Sequence, residues 1–252
     1  MRIAIITGAS SGIGCEFAVQ IADSFSTIDE VWLIARRENE LKKIKEMITR
    51  AGKKARFFPC DITKEESKEI IISSMKEVNA RVGILVNSAG YGMIGNFKEI
   101  NQEDNIGMIR LNCEALTSFT YAILPFMTKK SHIINVASSA AFTPKPGFAV
   151  YAATKSYVLS LSKALNYELK QYGITVTAVC PGPVRTGFFE VAEKYNKAKR
   201  FKRWFMVEAS DVTKKALYDA MHGKNCSIYG LSMKIFHIVA KLLPHEILFP
   251  FM

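Results

Sequence analysis

The sequence predicts an α/β fold built on a doubly wound parallel sheet of about seven strands, with helices on both faces. Seven short apolar runs, rich in β-branched residues, alternate with longer amphipathic stretches. Each run is apolar on both faces, as strands are when helices cover both sides of a parallel sheet. Repeated strand–helix alternation implies right-handed βαβ units within one domain.

The elements follow in order along the chain. The predicted strands are 2–7, 30–35, 55–60, 83–89, 132–138, 174–180 and 226–230. The predicted helices are 12–23, 38–51, 64–79, 101–129, 151–172 and 210–222. We assign the whole chain, 1–252, to one domain with a substrate lid at 187–208 and an apolar tail at 230–252. In such sheets ligands bind at the carboxyl ends of the strands, and the lid should overhang that edge.

The amino-acid composition limits the classes of function that this chain could have. The hydrophobic fraction is 49% and the charged fraction 23%, which is ordinary for a soluble globular protein. Five cysteines and four histidines show no metal-ligand spacing, so no metal site is predicted. Strand-like sequence already begins at Ile3, which leaves no room for a signal peptide and leads us to expect a cytoplasmic location.

The net charge of +11 is compatible with nucleic acid, an anionic membrane surface or an acidic partner. No zinc-finger, RNA-binding or helix-turn-helix pattern accompanies the basic runs, so we predict no nucleic-acid partner. The alternative is that the lysines and arginines simply cover solvated helix faces and loops.

The run TGASSGIG at 7–14 follows the first strand and opens the first helix. Glycines at this spacing allow a tight turn whose backbone N–H groups, with the helix amino end, face a diphosphate. The alternative is a purely structural glycine turn. The residues of this turn assigned to a dinucleotide are Gly8, Ser10, Ser11, Gly12, Ile13 and Gly14.

The end of the second strand, LIARR, predicts which dinucleotide binds. An acid there would bind the ribose hydroxyls and repel a 2′-phosphate, but Ala35 is followed by Arg36 and Arg37. Guanidinium groups suit phosphate, so we predict NADP(H) over NAD(H). A basic solvent-facing loop is the alternative. After the third strand, Asp61 could accept a hydrogen bond from the adenine amino group or cap a helix.

Tyr151 and Lys155 are four residues apart, which places them on one face of a helix. A free tyrosine has a pKa of about 10 and is a poor base at neutral pH. A neighbouring ammonium favours the phenolate, so the pair could exchange a proton with a carbonyl or alcohol.

Together these motifs resemble the classical short-chain dehydrogenase/reductase family. The resemblance rests on TGASSGIG, NSAG at 87–90, the asparagine of RLNCEA at 110–115, NVASS at 135–139, YAATK at 151–155 and PGPVRT at 181–186. It implies a Rossmann-type fold and a catalytic set of Asn112, a serine at 138 or 139, Tyr151 and Lys155. It further implies that the tyrosine moves the proton, the serine steadies the substrate oxygen and the asparagine supports a water relay. The lysine would lower the tyrosine pKa and hold the nicotinamide ribose.

The resemblance also assigns residues to the cofactor beyond the glycine turn. In NSAG, Ser88 replaces an asparagine of the family pattern, which we interpret as tolerated because serine can still form hydrogen bonds. These further residues are Ile62, Asn87, Ala89, Gly90, Pro181, Gly182, Val184 and Thr186.

Two adjacent serines compete for the catalytic position. The usual spacing of thirteen residues before the tyrosine selects Ser138. Related sequences read SSAAGF where this chain reads SSAAF, as if one glycine were missing. A strand is held in register by its ladder, whereas a loop absorbs a deletion cheaply. We therefore expect Ser139 to be the catalytic serine, with a shortened loop at 140–149.

The composition of the lid indicates what kind of substrate enters the site. The lid alternates aromatic residues with lysines and arginines, which suits a lipophilic substrate with an anionic handle; a helix burying its aromatic face is an equal alternative. Its apolar residues are Phe188, Phe189, Tyr195, Phe201, Trp204, Phe205 and Met206.

The tail contains apolar residues at helical spacing, which are Leu231, Ile235, Ile238, Val239 and Leu242. The tail could close the pocket, join a second subunit or rest on a membrane surface, and we favour packing on the protein or on a second subunit.

The sequence thus predicts a cytoplasmic NADP(H)-dependent oxidoreductase acting on a ketone or secondary alcohol of a lipophilic, steroid-like small molecule. One alternative is a reductase of 3-oxoacyl thioesters. Another is a protein that binds NADP(H) as a signal and turns nothing over. A homodimer or homotetramer through the long helices is expected from the family resemblance.

Overall fold

The computed structural model describes residues 1–197 and 206–248, and it contains the predicted parallel sheet. The first half of the chain runs β1 (Arg2–Thr7), α1 (Gly12–Ser24), β2 (Glu30–Ala35), α2 (Glu38–Arg50), β3 (Lys54–Pro59), α3 (Glu65–Glu77) and β4 (Arg81–Asn87). It continues with α4 (Gln102–Ile109), α5 (Leu116–Ile123), β5 (Met127–Val136), α6 (Ala149–Leu169) and β6 (Ile174–Val179).

The remaining elements frame the lid and the tail. They are β7 (Val184–Arg185), α7 (Phe188–Ala192), β8 (Val207–Glu208), α8 (Ala209–Met221), β9 (Cys226–Ser227), α9 (Leu231–Leu242) and α10 (His245–Leu248). Strands β7 and β8 form a separate two-stranded ladder in which Arg185 and Glu208 pair at 2.8 Å. Phe201, Trp204 and Phe205, which we assigned to the lid, lie outside the described residues.

The main sheet has the order β3-β2-β1-β4-β5-β6-β9, and its paired strands are parallel. The order reverses between β1 and β4, which is where doubly wound sheets bind ligands. The prediction of an α/β sheet of about seven strands is confirmed.

Strand β1 shows why the strands are apolar on both faces. Ala4 and Ile6 pack into one core cluster, and Ile3 and Ile5 pack into a second cluster across the sheet. All four side chains are fully buried. Successive side chains of a strand point to opposite faces, so a sheet covered by helices on both sides needs this composition.

The predicted helix 101–129 is correct at its start but too long at its end, and it contains a π segment. A wide turn of π type at Arg110–Ala115 separates α4 from α5, and a short 3₁₀ turn containing Pro125 follows α5. Residues 127–129 belong to β5. Proline cannot donate a helical hydrogen bond, and an inserted π turn re-aims the side chains around it, so the helix ends early.

The end of β5 also differs from the prediction. The ladder with β6 ends at Val136, whereas the predicted strand extended to Ser138. Ser138 is extended but lies beyond the ladder, and it caps a 3₁₀ turn at Ser139–Phe142. The two serines are therefore free of the strand register.

In the described part of the chain, no helix combines the length and the apolar character needed to cross a membrane.

Candidate active site

A cleft of about 1720 Å³ opens at the carboxyl ends of the central strands, at the edge that the sheet topology predicts. Most of the predicted site residues line it. They are Gly8, Ser10, Ser11, Gly12, Ile13, Arg36, Arg37, Asp61, Ile62, Ala89, Gly90, Ser139, Tyr151, Lys155, Pro181, Gly182, Val184 and Thr186.

Three predicted site residues, Gly14, Asn87 and Asn112, lie behind the wall of the cleft. A Cβ on Gly14 would stand 2.3 Å from the carbonyl oxygen of Gly8, so only glycine allows α1 to pack this close to the turn. Asn87 and Asn112 are 3% and 1% exposed. These three positions support the residues that line the cleft, and the roles predicted for them in cofactor binding and catalysis stay predictions.

The glycine-rich turn connects β1 to the amino end of α1. Gly8 has φ +66°, and an added Cβ would stand 2.7 Å from the backbone nitrogen of Ala89. Gly12 has φ +54°, and an added Cβ would stand 3.1 Å from Thr186 Cγ2. A turn of this shape, followed by a thirteen-residue helix, exposes backbone N–H groups and a partial positive charge, which suit a diphosphate.

Thr7 holds the NSAG segment against this turn. Its Oγ1 accepts hydrogen bonds from the backbone nitrogens of Ser88 and Ala89, at 3.1 and 3.2 Å. The side chain is buried, at the carboxyl end of β1. Sequence reasoning assigned no role to Thr7, although it opens the glycine motif, because the bonds depend on how β1 and β4 lie side by side. Ser88 fits this arrangement, and its Oγ lies on the side of Gly14.

Asn87 belongs to a buried polar chain beneath the cleft. Its Nδ2 donates to Thr120 Oγ1 at 2.9 Å and to Asn135 Oδ1 at 2.8 Å. Asn135 in turn donates to Ser162 Oγ at 2.9 Å, which links β4, β5 and α6. Buried polar groups that are paired in this way hold neighbouring elements in one arrangement.

The basic end of β2 lies against the glycine-rich turn. The guanidinium of Arg37 donates to Ser11 Oγ at 2.6 Å and to Ser10 Oγ at 3.1 Å. Arg36 and Arg37 are both exposed and both line the cleft. An arginine tied to the turn in this way is positioned where the adenosine ribose of a dinucleotide lies in doubly wound folds.

Asp61 forms a local turn at the end of β3. Its Oδ1 accepts from the backbone nitrogen of Thr63 at 3.0 Å and from Thr63 Oγ1 at 2.8 Å. Helix α3 begins later, after Lys64. The carboxylate therefore stabilises the loop before the helix rather than the helix end, and it still faces the cleft with Ile62.

Tyr151 and Lys155 lie one turn apart on α6, and both are buried. Lys155 Nζ donates to the carbonyl oxygen of Val136 at 2.7 Å and stands 5.7 Å from the centre of the Tyr151 ring. The end of β5 therefore fixes the ammonium beside the phenol.

Ser138 is the serine that meets Tyr151. Its side chain lies close enough to the phenol to lower the pKa of Tyr151, and its Oγ accepts from the backbone nitrogen of Ala140 at 3.1 Å. Ser139 begins the following 3₁₀ turn, where its backbone nitrogen donates to the carbonyl oxygen of Pro181 at 2.8 Å. The structure thus favours Ser138 over the expected Ser139 as the serine beside the tyrosine, although both line the cleft. The register argument fails because the ladder of β5 ends before either serine.

Burial controls the proton affinities of this group. It raises the pKa of Tyr151 to about 12, against a smaller lowering by the hydrogen bond from Ser138. It also lowers the pKa of Lys155 to about 8. In this structure the loss of water around the phenol dominates the pKa of Tyr151, so the low tyrosine pKa expected beside the lysine is not found.

Asn112 stands in the π turn between α4 and α5. Its Nδ2 donates to the carbonyl oxygen of Tyr91 at 2.9 Å and to Thr154 Oγ1 at 3.0 Å, and its Oδ1 accepts from the Tyr91 nitrogen at 3.1 Å. The extra residue of a π turn aims this side chain inward, a frequent use of such turns at functional sites. Asn112 therefore fixes the loop at 90–91 against the helix that carries Tyr151.

Aromatic and small residues enclose the ring of Tyr151. Phe148 stacks on it with ring centres 4.2 Å apart, and Phe188 of α7 stands at 5.5 Å. On Gly92, a Cβ would come within 2.6 Å of Tyr151 Cδ2. Gly92 was absent from our sequence-based site, because only the fold brings it against the tyrosine.

The described part of the lid is anchored to α4. Asp104 Oδ2 accepts from Lys194 Nζ at 2.8 Å and from the hydroxyl of Tyr195 at 2.7 Å. The backbone nitrogen of Ile94 donates to the carbonyl oxygen of Ala192 at 2.8 Å. These contacts place Phe188 and Phe189 in the cleft wall, and Met206 lines it from the other end of the lid.

Helix α9 of the tail closes another side of the cleft. Met233 and Phe236 line the cleft, and Met233 packs against Gly182. Phe236 also stands 5.9 Å from Phe142, between ring centres. The expectation that the tail packs on the protein is confirmed for this face of the helix.

The chain is similar to known oxidoreductases over most of its length. A family model described as short chain dehydrogenase matches residues 2–197. An uncharacterized oxidoreductase of Staphylococcus epidermidis is 31% identical over 191 residues, which cover 75% of this chain and 80% of the relative.

Solved structures extend the similarity to the tertiary level. A short-chain dehydrogenase from Sphingobium yanoikuyae in complex with NADPH is 29% identical with a TM-score of 0.80, covering 92% of this chain and 89% of its own. The bulky-bulky ketone specific alcohol dehydrogenase from Comamonas testosteroni is 26% identical with a TM-score of 0.75, covering 92% and 87%.

Proposed function

Since this chain belongs to the short-chain dehydrogenase family, we propose that it is an NADP(H)-dependent oxidoreductase that reduces a ketone on a lipophilic small molecule. The observation that carries the proposal is the convergence of Ser138, Tyr151 and Lys155 in the wall of one cleft, with Lys155 Nζ 5.7 Å from the centre of the tyrosine ring. Two hydroxyls that converge beside a buried ammonium can bind a carbonyl oxygen and deliver a proton to it.

The residues of the cleft fit a nicotinamide dinucleotide. The glycine-rich turn has the left-handed Gly8 and Gly12 and the close packing at Gly14 that a diphosphate-binding turn requires. Pro181, Gly182 and Thr186 are suited to hold the nicotinamide end, and Ala89 and Gly90 the wall between the two ends. When bound, the cofactor would supply the hydride.

The preference for NADP(H) rests on Arg36 and Arg37. An NADPH complex of the relative from Sphingobium yanoikuyae is consistent with it. A 2′-phosphate beside two guanidinium groups gains charge-assisted hydrogen bonds that a ribose hydroxyl cannot match. Ala35 occupies the position where an acid would favour NAD(H).

The proton affinities favour Tyr151 as the acid. With its pKa raised to about 12, the phenol keeps its proton at neutral pH and can donate it from Oη to the carbonyl oxygen of a substrate. Ser138 Oγ holds the same oxygen by a second hydrogen bond. Lys155, with its pKa lowered to about 8, is largely charged at neutral pH and stabilises the phenolate that remains after the transfer.

The walls of the cleft support a large, apolar substrate. The rings of Phe148 and Phe188 flank Tyr151, and Met233 and Phe236 form the opposite boundary. Apolar and aromatic walls around a few polar groups are typical of sites for lipophilic ligands. The alcohol dehydrogenase from Comamonas testosteroni is described as specific for bulky-bulky ketones, and we extend that substrate class to this chain.

A panel of carbonyl substrates tests the proposal. Steroid ketones, bulky diaryl ketones and 3-oxoacyl thioesters would each be assayed with NADPH and with NADH. We expect turnover of bulky ketones with NADPH, and loss of it in Tyr151→Phe. Turnover of thioesters alone would favour the acyl reductase. Tight NADPH binding without turnover of any substrate would favour a sensing protein.

A further inference from the structure

Helix α9 is apolar on two opposite faces, one packed on the protein and one exposed. Ordinary surface helices bury their apolar stripe and expose their polar residues. In α9 four apolar residues at helical spacing point away from the protein, and we call them the outer stripe. The outer stripe consists of Leu231, Ile235, Ile238 and Leu242, which are 73%, 52%, 56% and 75% exposed.

The other face of the helix is already covered. Phe236 and His237 pack against Phe142, with ring centres 5.9 and 4.3 Å apart, and Ala240 is buried. At about 100° per residue the outer stripe spans an arc of roughly 60° on the side opposite to Ala240. The exposed apolar side chains of the outer stripe therefore take no part in packing α9 on the protein.

The stripe continues past the end of α9. Leu243 and Ile247 are 41% and 54% exposed, and they extend the apolar surface into the next short helix. A contiguous apolar patch on a soluble surface marks a site of interaction with a partner or a membrane.

The charges beside the outer stripe distinguish between a protein partner and a membrane. Lys234 and Lys241 are both exposed and lie along one edge of the outer stripe. The sequence of α9 contains no aspartate or glutamate. The whole chain carries a net charge of +11. Lysines beside an apolar stripe can bury their stems and extend their ammonium groups to lipid phosphates.

A second copy of this chain fits the surface less well. A two-fold interface brings the same patch of each subunit together. Two copies of α9 would meet with lysines on both sides and no acid on either helix to pair them. An anionic bilayer, in contrast, complements both the apolar stripe and the adjoining cations.

We propose that the outer stripe of α9 docks the protein on the surface of an anionic lipid bilayer, with the helix lying in the plane of the interface. Twelve residues are too few to span a bilayer, so the helix binds at one surface. Met233 and Phe236 on the opposite face line the cleft, so the bilayer would lie one helix away from it.

Vesicle flotation of the full-length protein tests the docking directly, without any substrate. Vesicles of phosphatidylcholine with phosphatidylglycerol would be compared with vesicles of phosphatidylcholine alone. We expect the protein to float with the anionic vesicles, and to float less as the salt concentration rises, because headgroup attraction is screened.

Variants of the stripe and of the lysines locate the contact. Ile235→Gln with Ile238→Gln should lower the partition coefficient by about tenfold or more, since two apolar side chains no longer enter the interface. Lys234→Gln and Lys241→Gln should each lower it by about fivefold on anionic vesicles only. The matched controls are Ile70→Gln on α3, where Ile70 is 55% exposed, and Lys76→Gln; both should float like the parent.

Two outcomes would overturn the proposal. One is flotation that is absent, or that is unchanged in the Ile235/Ile238 variant. The other is a dimer, measured by sedimentation, that dissociates in that variant while vesicle binding is missing, which would assign the outer stripe to a second copy. All these side chains point outward, so circular dichroism should show the parent fold in every variant.

Discussion

The side chain of Ser138 lies beside the phenol of Tyr151 and lowers its pKa, although the two residues belong to different elements. Ser138 lies just beyond the end of β5, and Tyr151 lies in the first turns of α6. The loop between them includes Phe148, whose ring stacks on that of Tyr151. A substrate oxygen that reached one hydroxyl would therefore reach both.

The choice between the serines leads to the first prediction. Ser138→Ala should lower kcat by about 10²- to 10³-fold, the usual effect of removing one hydrogen-bond donor from a developing oxyanion. Ser139→Ala is the matched control and should retain most of the activity, because the bond from Ser139 to Pro181 is made by its backbone nitrogen. Steady-state kinetics with NADPH and an accepted ketone measure both. Activity that survives in Ser138→Ala and disappears in Ser139→Ala would restore the original assignment.

The second prediction concerns pH. Lys155 has a pKa lowered to about 8, so its ammonium is lost as the pH rises through that value, whereas Tyr151 stays protonated up to about pH 12. The kcat/KM for ketone reduction should therefore fall above about pH 8 with the loss of one proton. In Lys155→Arg the residual kcat/KM should show no such fall above pH 8, because arginine stays charged. A fall at the same pH in the variant would show that another group titrates.

The same shift has a consequence for stability. Between the folded pKa of about 8 and the ordinary value of 10.5, the unfolded chain binds more protons at Lys155 than the folded chain does. The contribution of Lys155 therefore raises the free energy of unfolding as the pH rises through this window. Urea unfolding at pH 7.5 and pH 9.5 should show that gain in the parent and its absence in Lys155→Met. An equal change in both proteins would contradict it.

Gly92 provides the third prediction. A Cβ at this position would stand 2.6 Å from Tyr151 Cδ2 and 3.0 Å from Phe148, so Gly92→Ala must displace the tyrosine ring. A shift of about 1 Å can cost on the order of 10²-fold in rate, so kcat should fall strongly. The Kd for NADPH, measured by fluorescence titration, should change little. Gly187→Ala is the control, because its Cβ would meet Glu190 only at 3.5 Å. Equal kcat values in the two variants would rule out a tight fit at Tyr151.

The arginines at the end of β2 give the fourth prediction. Arg36→Ala combined with Arg37→Ala should raise the KM for NADPH by about tenfold or more, and should leave the KM for NADH nearly unchanged, since only the former has a 2′-phosphate to lose charge-assisted hydrogen bonds. Arg50→Ala on α2, where the side chain is 81% exposed, serves as the control. Equal increases in KM for both cofactors would indicate that Arg37 acts by holding Ser10 and Ser11 in the turn rather than by binding the 2′-phosphate.

Much of the fold and part of the site were accessible from local patterns. Strand β1 and helix α1 were predicted almost to the residue, because apolar runs and a glycine-rich turn are properties of neighbouring residues. The pairing of Tyr151 with Lys155 follows from helical spacing alone. The π segment between α4 and α5 was missed, because it leaves no periodic signature that distinguishes it from regular α-helix.

The sequence by itself determined the alternation of strands and helices, the diphosphate-type turn and the helix that carries Tyr151 and Lys155, since each depends on residues close together in the chain. Only the tertiary structure decided which serine meets the tyrosine, because that depends on where the ladder of β5 ends. It also decided that Asn87 is buried, that Thr7 holds the neighbouring segment and that burial raises the tyrosine pKa. Helical spacing marked the apolar residues of the tail, but only the packing of Phe236 on the core determined that the outer stripe faces away from the protein.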